Sequence, residues 1–512
     1  MATKKSKQGR SVRKTTKRQI PRSGKKIEAR SSQSRTIKKA AKTRKSVDRA
    51  SKKRRAVRTA SVQIAPDPTL DNLAKIEHII VLMLENRSFD HLLGYLTLEN
   101  GRTDVDGLTN DMHNTYKGVD YFPKRRTQTA FLSNQDPCHA GQCVAEQLSN
   151  NNGGFVSNYA VNHPNDPEVD LVMNYYNGDT LSVYDQLVRS ACICDRWFCS
   201  VDGATWPNRL YSVTGQSGGT TDNKKIPLYD LPSFVRYLSA GKIPWRWYAH
   251  RSPATLRLID SQYRNIFHLK SDHFSFFDRR SELGGNSFLE DAAQGNLAAV
   301  TWIDPDFGDP LTNSHKNEND DHPPVDLMGG QQLVLKLYNA VATSPQWSKT
   351  LLVVVYDEHG GLYDHVPPPA AADDRPNFRR FGVRVPSFII SPWVEANSVS
   401  HTVFDHTSII KTILLKFCKN TDGSIPDMGA RVTNANHLGS LLTQSSPRPA
   451  PDVSEFQPLI AHLAKAHENA LTENLERQAS RVVAPPRPND LQVGVKLARQ
   501  QLRLKGLTED QP

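Results

Sequence analysis

Leu351-Leu-Val-Val-Val-Tyr-Asp-Glu-His-Gly-Gly-Leu-Tyr-Asp-His365 is the stretch from which the fold is read. It opens with an unbroken apolar run, Leu351 to Tyr356, rich in valine. Such a run is the pattern of a strand buried on both faces, as in a parallel sheet. Asp357 and Glu358 follow where that strand should end, then the flexible Gly360-Gly361 turn, Asp364, His365 and three prolines. Open α/β sheets carry their chemistry at the carboxyl ends of their strands. Two anionic oxygen donors at such a place point to a bound divalent cation. An Asp-Glu pair alone is usually a solvated acidic turn, but here an apolar strand feeds straight into it.

A second stretch repeats the arrangement. Ile79-Ile-Val-Leu-Met-Leu84 is another apolar strand, with Glu85-Asn86 at its end and Ser88 as N-cap of a short helix over 89–95. If the two strands are neighbours, Glu85, Asn86, Asp357 and Glu358 bring four side chains with oxygen donors to one point, suited to a hard or borderline cation. Between these stretches lies Asp202-Gly-Ala-Thr-Trp-Pro-Asn-Arg209. Gly203 permits a sharp turn, and Pro207, lacking an amide proton, suits the first turn of a helix running on to Thr214. Thr205 then stands at a helix N-terminus, where backbone amides and the dipole attract phosphate. A hydroxyl held there beside a metal can act as a nucleophile, while the plainer reading is an N-cap threonine. His139, in Asp136-Pro-Cys-His139, is on its own an ordinary loop histidine. Segments at 191–201, 298–303 and 383–390 read as further strands, and those at 180–189, 325–341 and 407–417 as helices. Their alternation gives an α/β protein with a large, mainly parallel central sheet flanked by helices.

The 512 residues suffice for one large domain or two to three ordinary ones. The formal net charge of +12 is unevenly spread. Residues 1–60 hold 24 Lys+Arg against 2 acidic residues, a net of +22, which leaves 41 against 51, a net of −10, for the rest. An acidic body therefore carries a basic tail. Residues 1–62 almost lack bulky apolar side chains and are expected to be disordered. Their charge suits anionic lipid or nucleic acid, without interleaved aromatics for base stacking, or serves only to solubilise. The expected plan is a tail (1–62), a catalytic domain (63–445) and a polar helical extension (446–512). No apolar stretch reaches the ~18 residues of a spanning helix. No apolar segment follows the N-terminal charges, so a cytoplasmic location is expected, with export or membrane association left open. Cys138 and Cys143 are spaced to allow a local bridge. Cys192-x-Cys194 with Cys199 lacks a second pair for tetrahedral zinc and reads as buried thiols.

Four segments together resemble the phosphoesterase family of bacterial phospholipases C and acid phosphatase A. They are IIVLMLENRSFDHLLGY at 79–95, Gly203-Ala-Thr-Trp-Pro-Asn-Arg209, Asp320-Asp-His-Pro-Pro324 and Asp357-Glu-His-Gly-Gly-Leu-Tyr-Asp-His-Val-Pro-Pro368, in the family's order, with the likeness running over roughly 75–440. The resemblance implies an alkaline-phosphatase-like fold. It also implies that Glu85, Asn86, Asp357 and Glu358 hold a divalent metal, and that Thr205 is the nucleophile and touches it. His139, His322 and His273, with His268 competing for the last place, would lie near the phosphoryl oxygens, and Asn208 and Arg209 would contact substrate. Ala204 stands where many members carry proline. The activity implied is metal-dependent phosphoester hydrolysis of the phospholipase C kind through a phosphothreonine, possible substrates including phospholipid. An acid phosphatase is the alternative within the family, and a nucleic-acid- or membrane-binding protein acting through its tail is the alternative outside it.

Overall fold

His78–Leu84 (β1) and Thr350–Tyr356 (β6) lie side by side and parallel at the centre of an eight-stranded sheet in the computed structural model of the protein. Every residue of both strands is buried, as their unbroken apolar runs require. The structure describes residues 60–127, 129, 136–251, 253–265, 273–281, 285–308, 318–324, 326–456, 458–463, 465 and 489–507. The other strands of the sheet are Cys192–Cys194 (β2), Trp245–Ala249 (β3), Phe274–Phe276 (β4), Val300–Asp304 (β5), Ser387–Ile390 (β7) and Ser398–Ser400 (β8). Their order is β4-β3-β5-β1-β6-β7-β2-β8. All pairings are parallel except those β7 makes with β6 and β2. The α/β class with a large, mainly parallel sheet is what the alternation of segments indicated.

Helices Phe89–Leu93 (α1), Gly141–Gln147 (α2), Phe155–Asn162 (α3), Ser182–Ser190 (α4), Thr205–Thr214 (α5), Met328–Ala342 (α6), His406–Phe417 (α7) and Asp490–Leu504 (α8) accompany the sheet. Helix α5 packs on α7, and α4 on α6. Ser88 caps α1 as read, its hydroxyl accepting from His91 N–H at 3.2 Å. Boundaries moved where local chemistry intervened. Helix α6 begins at Met328 because the Asp326 carboxylate takes the Met328 amide (2.8 Å). Strand β7 begins only after Pro386, which has no ladder donor. The run 191–201 splits into β2 and Trp197–Phe198, which pairs instead with Phe404–Asp405.

Pairing with the body starts earlier than the boundary at 63, since Ser61–Val62 runs antiparallel to Ile425–Pro426. The disorder expected of the tail, and any contact with anionic lipid or nucleic acid through residues 1–60, fall outside the described residues for all but this last stretch. Cys138 and Cys143 form a disulfide, whereas Cys192, Cys194 and Cys199 are buried free thiols. Among the described residues no helix is long and apolar enough to cross a membrane.

Leu352, fully buried in β6, reports on this core. Leu352→Ala is expected to cost about 2–5 kcal/mol in urea unfolding, while activity per folded molecule is retained.

Candidate active site

The β1–β6 ladder runs in register to Leu84↔Tyr356, and the Asp357 amide extends it to Leu84 O at 3.1 Å. Glu85-Asn86 and Asp357-Glu358 therefore leave the sheet as neighbours at its carboxyl edge. Asn86 takes a left-handed conformation (φ 59°), which asparagine tolerates better than most residues. It aims its amide at Asp357 Oδ1 (3.2 Å), and the Glu358 amide meets the same oxygen at 2.7 Å. On the other turn, Gly360 (φ 64°) lies so close to Asn86 that a Cβ would stand 2.3 Å from the Asn86 carbonyl oxygen. Glycine there lets the two turns touch.

Thr205 is the first residue of α5 and wholly buried. Its hydroxyl donates to Asn86 Oδ1 at 3.4 Å. The turn before it is built by Asn208, whose side chain accepts from Val201 N–H and donates to the carbonyls of Val201, Gly203 and Ala204. A Cβ on Gly203 would meet Thr221 O at 2.3 Å. The Trp206 amide is taken by Asn223 Oδ1 (2.8 Å) and Pro207 has none.

Arg209, one turn along α5, lies buried between the two strand ends. Its Nη2 is 2.8 Å from Glu85 Oε1, its Nε 3.1 Å from Asp357 Oδ2, and Nη2 also donates to Met83 O (3.1 Å). Asn208 and Arg209 were expected to contact substrate. Their polar atoms instead hold the nucleophile's turn and the carboxylates, because the sharp turn and the buried charges need those partners.

Two of the expected histidines, His322 and His139, lie beside the carboxylate turns. His322 Nε2 accepts from Asn86 Nδ2 at 2.8 Å while its Nδ1 donates to Pro323 O at 2.6 Å. His139 Nδ1 donates to Pro137 O (2.9 Å), and its Nε2 lies 3.9 Å from Glu358 Oε1. The Cys138–Cys143 disulfide brackets this loop. His273 is not in the site. It precedes β4, and the register Phe274↔Trp247 puts it at the amino edge of the sheet, bonded to Trp245 O (2.9 Å) and stacked on the Trp245 ring. At about 3.3 Å per residue, the length of β3 separates it from the carboxyl edge. His268 lies outside the described residues.

The sequence reading missed Asp320 and His250. Asp320 is fully buried, its carbonyl accepts the Glu85 amide (2.7 Å), and its Oδ2 has no hydrogen-bond partner among the described residues. Its place two residues before His322 in a matched motif was the available signal. His250 follows β3 at the carboxyl edge, with Nδ1 on Asp304 O at 2.9 Å. Nothing in its sequence context marks it out from the other aromatic and basic residues nearby.

A divalent cation suits these residues. Both Glu85 oxygens and Glu358 Oε1 are buried without an aligned hydrogen bond. Two carboxylates, Glu85 and Asp357, share the single guanidinium of Arg209, so negative charge is in excess in a water-poor place. Burial pushes Glu85 well above the usual carboxylate range, with Asp357, Asp320 and Glu358 adding to the shift and Arg209 opposing it. Burial likewise lifts Asp357 to about 7, again against Arg209. For Glu358 burial is outweighed by His139 and His359, which hold it low. Asp136, His139 and His322 also offer atoms within 4.8 Å of one another, but both His322 nitrogens are already engaged.

The Phosphoesterase family model matches residues 76–418. Non-specific phospholipase C4 of Arabidopsis thaliana is 33% identical over 439 residues, 77% of this chain and 77% of its own. Phospholipase C B of Mycobacterium tuberculosis is 28% identical over 407 residues, 68% of this chain and 75% of its own. Among solved structures, an alkaline phosphatase superfamily protein from Vibrio parahaemolyticus aligns with 80% of this chain and 94% of its own at 11% identity and a TM-score of 0.32.

Removing Arg209 leaves Glu85 and Asp357 without their cation. Arg209→Met is expected to destabilise the metal-free protein by about 3–5 kcal/mol in chemical unfolding. A carboxylate with a raised folded pKa loses stability as pH rises from its unfolded value, near 4, through the folded one, about 7 for Asp357. A cation that replaces those protons gains by the same measure. The Tm increase on adding saturating Ca²⁺ or Zn²⁺ should thus be larger at pH 8 than at pH 5.5.

Proposed function

The chain belongs to the Phosphoesterase family, and on that premise we propose that it is a metal-dependent, phospholipase C-like hydrolase that works through Thr205. Its reaction class is hydrolysis of a phosphoester bond. The observation that carries the finer reading is the buried Thr205 hydroxyl at a helix N-terminus, 3.4 Å from Asn86 Oδ1 within a set of under-bonded carboxylates. Glu85, Asn86, Asp357 and Glu358 would hold a divalent cation, which when bound lowers the pKa of a hydroxyl beside it and polarises a phosphoryl oxygen.

Thr205 gives up its hydroxyl proton as Oγ1 attacks phosphorus, the ester oxygen takes a proton and leaves as the alcohol, and a phosphothreonine remains that still carries the second ester group of a diester. Water then attacks that phosphorus and returns the hydroxyl to Thr205. His139, fixed through Nδ1 on Pro137 O, presents Nε2 toward Glu358 and is placed to hold the proton the leaving oxygen takes. His322 fixes the Asn86 side chain so that Oδ1 faces Thr205. Arg209 binds Glu85 and Asp357 and keeps the two strand ends at a fixed separation. The names of the relatives support a phospholipid as substrate, cleaved on the glycerol side of phosphate. The Cys138–Cys143 bridge supports work in a non-reducing compartment rather than the cytoplasm.

Phosphatidylcholine, an aryl phosphodiester and an aryl phosphomonoester, each with and without chelator, test the reading. Hydrolysis of both diesters, lost on chelation, is expected; preference for the monoester would make the protein a phosphatase. Thr205→Ala is expected to lower kcat by several orders of magnitude with the circular dichroism spectrum unchanged. Thr205→Ser should keep measurable turnover. A threonine with only a structural part as first residue of the helix, behind the Ala204 N-cap, would cost stability and spare the chemistry.

A further inference from the structure

Asp364 and His365 close the central motif and have no part in the chemistry above. Each catalytic turn is pinned at its start by the β1–β6 ladder. Each is pinned again at its far end, where α1 meets Asp364-His365. The Ser88 hydroxyl donates to Tyr363 O (2.6 Å), the Asp90 amide to Asp364 Oδ2 (3.2 Å), and the His365 amide to Asp90 Oδ2 (2.8 Å).

Around this junction lies a group of charges. His365 Nδ1 is 2.7 Å from Asp90 Oδ2 and its Nε2 is 3.0 Å from Asp106 Oδ1. Arg384, fully buried, donates from Nε to Asp364 Oδ1 (2.8 Å) and from Nη2 to Asp90 Oδ1 (3.1 Å). Its Nη1 donates to the carbonyls of Asp106 and Asp195 at 2.8 and 2.9 Å. Arg196 pairs with Asp106 at the rim. Three carboxylates (Asp90, Asp106, Asp364) thus balance three cations (His365, Arg196, Arg384).

Asp90, Asp364 and His365 offer atoms within 4.8 Å of one another, as a metal site would. The Arg384 guanidinium already binds both carboxylates, so the cation there is the protein's own. The balance depends on His365 being an imidazolium, since a neutral ring could donate to only one of Asp90 and Asp106. Burial and the Arg384 guanidinium, whose Nη2 is 3.3 Å from Nδ1, disfavour that charge, but Asp90 and Asp106 outweigh both and raise its pKa to about 10.

We propose that His365 is a positioning residue: paired to both Asp90 and Asp106, it holds the far ends of the Glu85-Asn86 and Asp357-Glu358 turns together and so sets the spacing of the proposed metal donors. The contact between those turns gives the second pin its purpose. Asn86 is left-handed and Gly360 packs directly on its carbonyl, an arrangement that persists only while both turns keep their places at both ends. The inference rests on the metal reading of the site.

Isothermal titration of the full-length, chelator-stripped protein with Zn²⁺ and with Ca²⁺ tests it. His365→Ala should fold, bind the cation about tenfold or more weakly than wild type, and regain most of its kcat on an aryl phosphodiester at high cation concentration. Asp106→Asn, at the half-exposed rim, removes the same pairing and should weaken binding in the same direction if His365→Ala does not fold. A folded variant that binds as tightly as wild type overturns the proposal and leaves the metal reading standing. Wild type that takes up neither cation overturns the metal reading, and this proposal with it.

Discussion

A buried guanidinium between two buried carboxylates is the contact on which the site depends. Arg209 stands 2.8 Å from Glu85 and 3.1 Å from Asp357, with all three side chains closed to solvent. Without it the ends of β1 and β6 would repel each other at a place where water cannot screen them. With it the charge is still short by one positive unit, since one guanidinium faces two carboxylates while Glu358 is held by His139 and His359. The protein thus brings anionic donors together and neutralises only part of their charge. A structure built for stability alone would complete the neutralisation; this one leaves oxygens of Glu85 and Glu358 under-bonded.

The same arginine ties that charge to the nucleophile. It is carried by the helix that begins at Thr205, so the contact that holds the carboxylates also fixes the position of the hydroxyl. Asn208, on the same helix, shapes the turn that presents it. One helical segment therefore supplies the hydroxyl, its turn and the counter-charge. The sheet supplies the donors, and the Asp90–His365–Arg384 group closes the turns behind them.

The parts legible in the sequence were those governed by local pattern. Two apolar runs, each ending in a pair of polar residues, read as buried strands, and the observed adjacency of those strands brings Glu85 and Asn86 to Asp357 and Glu358. Gly203 and Pro207 marked the helix start at Thr205. What the sequence hid were contacts between distant residues and matters of register. His273 lies in an aromatic, basic stretch in which no residue tells which edge of the sheet it reaches, and the β3–β4 register sends it to the wrong one. Arg209 beside a nucleophile reads as a phosphate ligand until Glu85, 124 positions earlier, is found against it. Asp90 and His365 are 275 positions apart, so their pairing was out of reach of any local pattern.

The central claim is that Thr205 becomes covalently phosphorylated during turnover. Acid-quenching the wild-type protein with an aryl phosphodiester at steady state, followed by peptide mass mapping, tests it directly. The account predicts a phosphoester adduct on the peptide containing Thr205, localised to that residue and absent from Thr205→Ala. Rapid hydrolysis with no adduct there, and solvent ¹⁸O entering product in a single direct displacement with inversion at phosphorus, would contradict it.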